Sequence, residues 1–126
     1  MNGGQRKAIR DQVKSMIVAA AIPNIQLFTF QKANLEGEQI AVCIYLESGD
    51  FEQLSYDSLL TVRIMAPDGS NVDDQLDDIG DQVQALLEQD ITLNGVCNFI
   101  AEKGYEYDRD AAVAWTALDI QYSVEH

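Results

Sequence analysis

From Gly104 to Tyr122 the chain reads GYEYDRDAAVAWTALDIQY, and the two-residue rhythm of that stretch demands paired β-structure. Successive side chains of a strand point to opposite faces, so an alternating run has one face to bury and one to wet. Tyr105-Glu106-Tyr107-Asp108 alternates in this way, and Trp115 to Val124 supplies the returning partner. In the second run Leu118, Ile120, Tyr122 and Val124 share one side, while Asp119, Gln121 and Ser123 share the other. Trp115 is expected in the core. Just upstream, Val96, Phe99 and Ile100 recur at three and four, which predicts a short helix over Asn94 to Lys103. Gly104 then suits its C-cap, where only glycine takes a positive φ without steric cost.

The rest of the chain fits helices laid on such a sheet. Ile9, Val13, Met16, Ile17 and Ala20 form one apolar helical stripe between Gln5 and Ala21, with Arg6, Lys7, Arg10 and Lys14 mostly off it. Pro23 disfavours further helix at Ile22, and Ile25 to Phe30 reads as a strand. Asn34 to Glu38 reads as a turn. Gln39 to Glu47 is apolar on both faces and reads as a central strand. Ser48-Gly49-Asp50 breaks that run, giving a loop to Gln53, after which Leu54 to Met65 alternates again. Pro67-Asp68-Gly69 is a turn sequence, and Asn71 can N-cap a helix to about Glu88. On that helix Leu76, Ile79, Val83, Leu86 and Leu87 make the packed stripe, and Gly80 lies on it. Glycine costs about 1 kcal/mol of helix propensity against alanine, so close approach of another backbone is expected there. The sum is an α/β fold of the α+β type. It is a single domain, 1–126, with a largely antiparallel or mixed sheet of about four or five strands and helices packed on a face. Residues 1–4 are expected to be disordered.

Charge narrows the partners. Eight basic residues stand against twenty-one acidic ones, a net charge of −13. Residues 1–35 hold five of the basic residues and one acid, hence +4, leaving −17 for the remainder. The basic charge is concentrated on the first helix. It is either a solvated face or a surface, through Arg6, Arg10 and Lys14, that docks on acids of a neighbouring subunit. Stable nucleic-acid binding is disfavoured, because the acidic body repels phosphates and no basic residues interleave with aromatics. No apolar run is long enough to span a bilayer and no signal-peptide layout opens the chain, so cytoplasmic synthesis is expected. Cys43 and Cys97 lack metal or redox spacing and are expected as buried or half-buried thiols, a disulfide being the lesser reading for a protein of cytoplasmic origin.

Catalytic equipment is sparse. His126 is the only histidine, and as a disordered end it could not support a Ser-His or Cys-His pair. There is no phosphate loop, Cys/His cluster or dinucleotide fingerprint. Carboxylates remain. Asp73, Asp74, Asp77 and Asp78 crowd the first turns of the long helix, where acids complement the macrodipole by about 0.3–1 kcal/mol each. Four exceed that need, so Asp73 or Asp77 could hold Mg²⁺ and screen repulsion as subunits associate, although no cofactor is required. Asp108 with Asp110 would suit a metal nuclease, but no lysine stands nearby to stabilise the transition state.

Gly104-Tyr105-Glu106-Tyr107-Asp108-Arg109-Asp110 followed by Trp115-Thr116-Ala117-Leu118-Asp119-Ile120-Gln121-Tyr122 resembles the C-terminus of the tail terminator proteins of long-tailed bacteriophages, the lambda-type minor tail protein U family. More weakly, the likeness takes in Ile40 to Leu46, Asp57 to Ile64 and Val72 to Val83; the segment from Ala21 to Glu38 is left unmatched. The resemblance implies a structural protein of the virion tail and not an enzyme. Copies would assemble in the host cytoplasm into a closed homohexameric ring on the finished tail tube, ending its growth and offering a surface to the head-tail connector. DNA would pass through the lumen without specific binding, and no membrane is involved. On this reading the surface meeting the tube is expected at Tyr105, Tyr107 and Arg109 and at the loop of Ser48, Asp50 and Phe51, because exposed aromatics with an arginine suit contact centres. Another phage part of similar fold, a head-tail joining or tail tube protein, is the alternative; a Mg-dependent nuclease is the third.

Overall fold

The computed structural model describes residues 4–35, 39–110 and 112–126. Helix α1 (Gly4–Ala19) leads through β1 (Ile25–Phe28) into a long hairpin, β2 (Ile40–Glu52) and β3 (Ser55–Pro67). Helix α2 (Val72–Glu88) then crosses to β4 (Phe99–Arg109) and β5 (Trp115–Glu125). The five strands form one sheet in the order β1-β2-β3-β5-β4. Only the β1–β2 pairing is parallel; the rest are antiparallel. This is the expected α+β domain with a mixed sheet. Gly4, expected to be disordered, opens α1; residues 1–3 lie outside the described ones, as does most of the expected Asn34 to Glu38 turn.

Both helices pack on one face. Ile9, Val13 and Ile17 of α1 and Leu76, Ile79, Val83 and Leu87 of α2 are buried against Val42, Ile44, Leu60, Val62, Ile64 and the predicted face of β5. Leu118, Ile120, Tyr122 and Val124 are indeed all buried there. The second face carries a smaller core of Ala41, Cys43, Tyr45, Met65, Trp115 and Ala117. The end of β1 and the chain after it cover it, with Phe28 and Leu35 packed in place and the Trp115 Nε1–H donating to Asn34 Oδ1 at 2.7 Å. Burying the indole while bonding its N–H is what such a ring requires.

Three local expectations are corrected. Asn94 to Lys103 is not a helix. Leu93, Asn94 and Gly95 take φ of 50°, 58° and 84°, which no helix continues through, and Phe99 onward is strand. Pairing with all of β5, from Phe99↔Glu125 to Arg109↔Thr116, overrides the local spacing. Gly104 therefore caps nothing; at φ 152° it sits at a bulge where the register slips between Glu102 and Gly104. Ser48 to Phe51 is not a loop either. After a bulge at Leu46/Ser48, β2 runs on against β3 to Glu52, and the turn is Gln53-Leu54 at φ 49° and 71°.

Helix α2 starts where Asn71 predicts, yet the Asn71 side chain makes no capping bond. Gly80 does mark a close approach, but by side chains and not by backbone. A Cβ there would lie 2.9 Å from Leu118 Cδ2 and 3.5 Å from Ile120 Cδ1.

Candidate functional site

Two sets of residues that the sequence kept apart meet at the border between α2 and β4. Strand geometry puts Tyr105, Tyr107 and Arg109 on the helix-bearing face, beside the acids of α2. Arg109 donates from Nη1 and Nη2 to the two carboxylate oxygens of Asp73 at 2.8 and 2.9 Å. The Tyr107 hydroxyl donates to Asp77 Oδ1. Arg109 also lies over the Tyr107 ring, 4.7 Å from its centroid, and Tyr105 meets Tyr107 edge to face at 5.8 Å. The Arg109 hydrogen bonds hold the Asp73 carboxyl below the usual range and push the guanidinium up. Tyr107 is pushed up to about 12, first by its bond to Asp77. The proposed cation ligands Asp73 and Asp77 are thus each engaged by a β4 side chain.

Beside this ladder opens a slot of about 250 Å³. Its walls are Asp77, Gly80, Asp81, Gln84, Tyr105 and Tyr107, and its floor is Leu118 and Ile120. Tyr105 is 65% exposed at its mouth.

The basic residues occupy the other border. α1 lies over β2, at the β1 side of the sheet. Arg10 lines an open groove with Phe30, Tyr45 and Glu47, and Arg6 borders another with Glu47 and His126. Among the described residues Arg6, Arg10 and Lys14 make no ion pair; the α1 pair is Lys7 with Asp11 at 3.2 Å. Ser48, Asp50 and Phe51 lie on the exposed arm of the β2–β3 hairpin, where Phe51 packs against Tyr56 with centroids 5.0 Å apart.

Asp108 and Asp110 do not converge. Asp108 pairs with Arg63, and Asp110 Oδ1 accepts the Ala112 N–H at 2.9 Å. Among the described residues no group of three or more His, Cys, Asp or Glu is placed to hold a metal. Cys43 and Cys97 are free, buried thiols in the two separate cores.

Two buried polar contacts escaped the sequence reading. Arg63, 8% exposed, reaches Asp108 and, from Nη1, Asp119 Oδ2 at 3.2 Å, and it lies 5.5 Å from the Trp115 ring. Burial pushes the Asp119 carboxyl up to about 6 despite that guanidinium. An arginine inside the alternation of β3 was the available signal. The second contact involves His126, which is not disordered. Its backbone exchanges hydrogen bonds with Tyr56 at 2.7 and 2.9 Å, its ring stacks on Tyr56, and Nε2 lies 2.7 Å from Ser58 Oγ. Nδ1 is buried without a partner among the described residues. A nucleophilic pair needs a third group to orient the imidazole and an accessible hydroxyl, whereas Ser58 is 5% exposed. The contact is a tether for the end of β5.

None of the described helices is long and apolar enough to cross a membrane. No individually curated protein matches the chain significantly. The family model for phage minor tail protein U matches residues 4–126, nearly the whole length, so the chain belongs to that family and serves as a structural component of a phage tail.

Proposed function

We propose that copies of this chain join head to tail into a closed ring, a hexamer by the family resemblance, which caps the completed tail tube. Membership of the minor tail protein U family over residues 4–126 carries this reading. The charge layout supports it: a basic helix at one border of the sheet and an acid-rich helix near the other give a subunit two unlike flanks. Contacts between unlike flanks close into rings when the rotation permits. A ring whose outer rim lacks the tube's own repeat ends growth, and that rim is free to receive the head-tail connector.

The hairpin arm bearing Ser48, Asp50 and Phe51 is the better part to meet the tube, because Phe51 is 56% and Leu54 84% exposed at its end. Acids outnumber basic residues by enough that a lumen lined with some of them would repel DNA and let it slide. Assembly would take place in the host cytoplasm before the finished tail joins the head. No turnover is assigned to the protein.

Negative-stain imaging of the purified protein, alone and mixed with tail tube subunits, tests the proposal. Discrete rings and tubes of arrested length are expected. Endless filaments, or a molecule that stays solitary beside tube subunits, would overturn it.

A further inference from the structure

We propose that the slot between α2 and β4 is the receptor for a basic side chain of α1 from the next copy of this chain, and that this contact joins one subunit to another. The inference rests on the ring reading and names its lateral contact.

The slot has the chemistry of an arginine or lysine site. Its rim carries two carboxylates one helical turn apart, Asp77 and Asp81, and its walls are the rings of Tyr105 and Tyr107. Leu118 and Ile120 form an apolar floor. A long cationic side chain lays its methylene stem on apolar surface, sets its charge against an aromatic face and ends on a carboxylate. An anion would meet two acids, and an uncharged apolar group would leave them desolvated. Asp77 is held in place by the Tyr107 hydroxyl, whereas Asp81 makes no hydrogen bond or ion pair among the described residues. Gly80 lets α2 sit close over that floor, since a Cβ there would lie 2.9 Å from Leu118 Cδ2.

The occupant follows from charge and spacing. Arg6, Arg10 and Lys14 recur every four residues on α1, and Asp73, Asp77 and Asp81 recur every four on α2. Both rows therefore repeat at roughly 6 Å along their helices. Asp73 is already satisfied by Arg109, which leaves Asp77 and Asp81 to face the basic row. Within one subunit the two rows do not pair: among the described residues none of Arg6, Arg10 and Lys14 forms an ion pair with Asp77 or Asp81. Arg10 lines the groove beside β2, and the slot lies against β4, at the opposite side of the order β1-β2-β3-β5-β4. A contact between opposite borders is head to tail. Tyr105 and Tyr107 are then lateral contacts, and the tube is left to the hairpin arm.

Charge reversal on each partner tests this. Asp81→Lys, at an exposed position, and Arg10→Glu, at a half-buried one on α1, are each expected to lower the ring population at least tenfold at a given protein concentration, read by analytical ultracentrifugation. Mixing the two variants should restore rings, because in an alternating ring every contact then joins opposite charges. Independently, Gln84→Cys with Arg10→Cys in one chain should form disulfides between subunits of assembled rings, the native thiols being buried. If wild-type rings form while the reversals leave them unchanged, or the mixture stays dissociated, or no intersubunit disulfide appears, this contact is wrong and the ring survives. If the wild-type chain never forms rings, the ring reading and this inference both fall.

Discussion

The Arg109 guanidinium grips the Asp73 carboxylate through two parallel hydrogen bonds of 2.8 and 2.9 Å, tying the end of β4 to the first turn of α2 across 36 residues of sequence. Such a fork combines charge with fixed geometry, and it sits where an anion also complements the helix dipole. It makes Asp73 a carboxylate with a resident cation.

Any divalent ion that used Asp73 would compete with that guanidinium for the carboxylate. Arg109→Ala should therefore raise the affinity of the chain for Mg²⁺, and it should move the Asp73 titration upward toward the ordinary carboxylate range. Because Asp73 is held low in the folded state, its contribution to stability is present above the unfolded value of about 4 and is lost as pH falls through the folded value. Carboxyl NMR titration with and without Mg²⁺ reads both effects. An unmoved Asp73 in the variant would refute the coupling.

Gly80 poses two opposed costs. Alanine would restore about 1 kcal/mol of helix propensity, but its Cβ would lie 2.9 Å from the end of the Leu118 side chain. A flexible terminus can yield, so Gly80→Ala should shift stability by less than about 1 kcal/mol. Gly80→Leu has no such escape above Leu118 and Ile120, and it should cost about 1–3 kcal/mol by overpacking. Urea unfolding of the pair distinguishes a tight contact from an empty one.

How much of this was readable depended on where the deciding contact lay. Leu118, Ile120, Tyr122 and Val124 declared their face because an alternation with one buried side is a local signal. Asn94 to Lys103 misled because Val96, Phe99 and Ile100 satisfy a helical spacing equally well, and the strand is imposed by β5 from a distance. Ser48-Gly49-Asp50 has the composition of a break, yet β3 supplies partners for those residues as far as Glu52. The true turn, Gln53-Leu54, carries none of the residues that turns favour. The candidate site shows the same division. The acids of α2 and the aromatics of β4 were each visible, but their meeting needed the register that brings Arg109 beside Asp73.

The Gln53-Leu54 turn is strained for its residue types. A two-residue hairpin loop with both φ positive, as a type I′ turn requires, favours Asn-Gly. A non-glycine residue in the left-handed region costs about 1–2 kcal/mol. Leu54→Gly should therefore raise the melting temperature. Leu54 is also 84% exposed at the hairpin end, so the same variant should weaken capping of tube subunits if that end meets the tube. Melting curves beside a tube-length assay separate the two effects; a lower melting temperature would refute the strain argument.

His126 gives the fold a pH dependence of known sign. Burial, with Arg6 next, holds its imidazole below its ordinary value. A histidine depressed in the folded state contributes stability above the unfolded value of about 6.5 and loses it as pH falls toward the folded value. Amide exchange at Tyr56 and His126, which bond each other at 2.7 and 2.9 Å, should quicken relative to β3–β5 amides far from that end as pH drops below about 6.5. His126→Asn should abolish the difference.

Arg63 and Asp119 make the opposite case. Asp119 is pushed up to about 6 by burial, so its proton is held more tightly folded than unfolded. That contribution is complete below the unfolded value, about 4, and is lost as pH rises through about 6. Melting temperatures of the wild type should fall relative to Asp119→Asn across that interval. Arg63→Ala has a different consequence, because it leaves the Asp119 carboxylate, 17% exposed, without its counter-charge. Breaking one side of a buried pair costs about 3–5 kcal/mol, whereas replacing both members with apolar residues of similar volume is often neutral. Arg63→Met combined with Asp119→Leu should therefore recover most of the stability that Arg63→Ala loses. Denaturant midpoints of the three chains decide the matter, and a double variant no more stable than Arg63→Ala would mean that Asp108 or Trp115, and not Asp119, is the partner Arg63 needs.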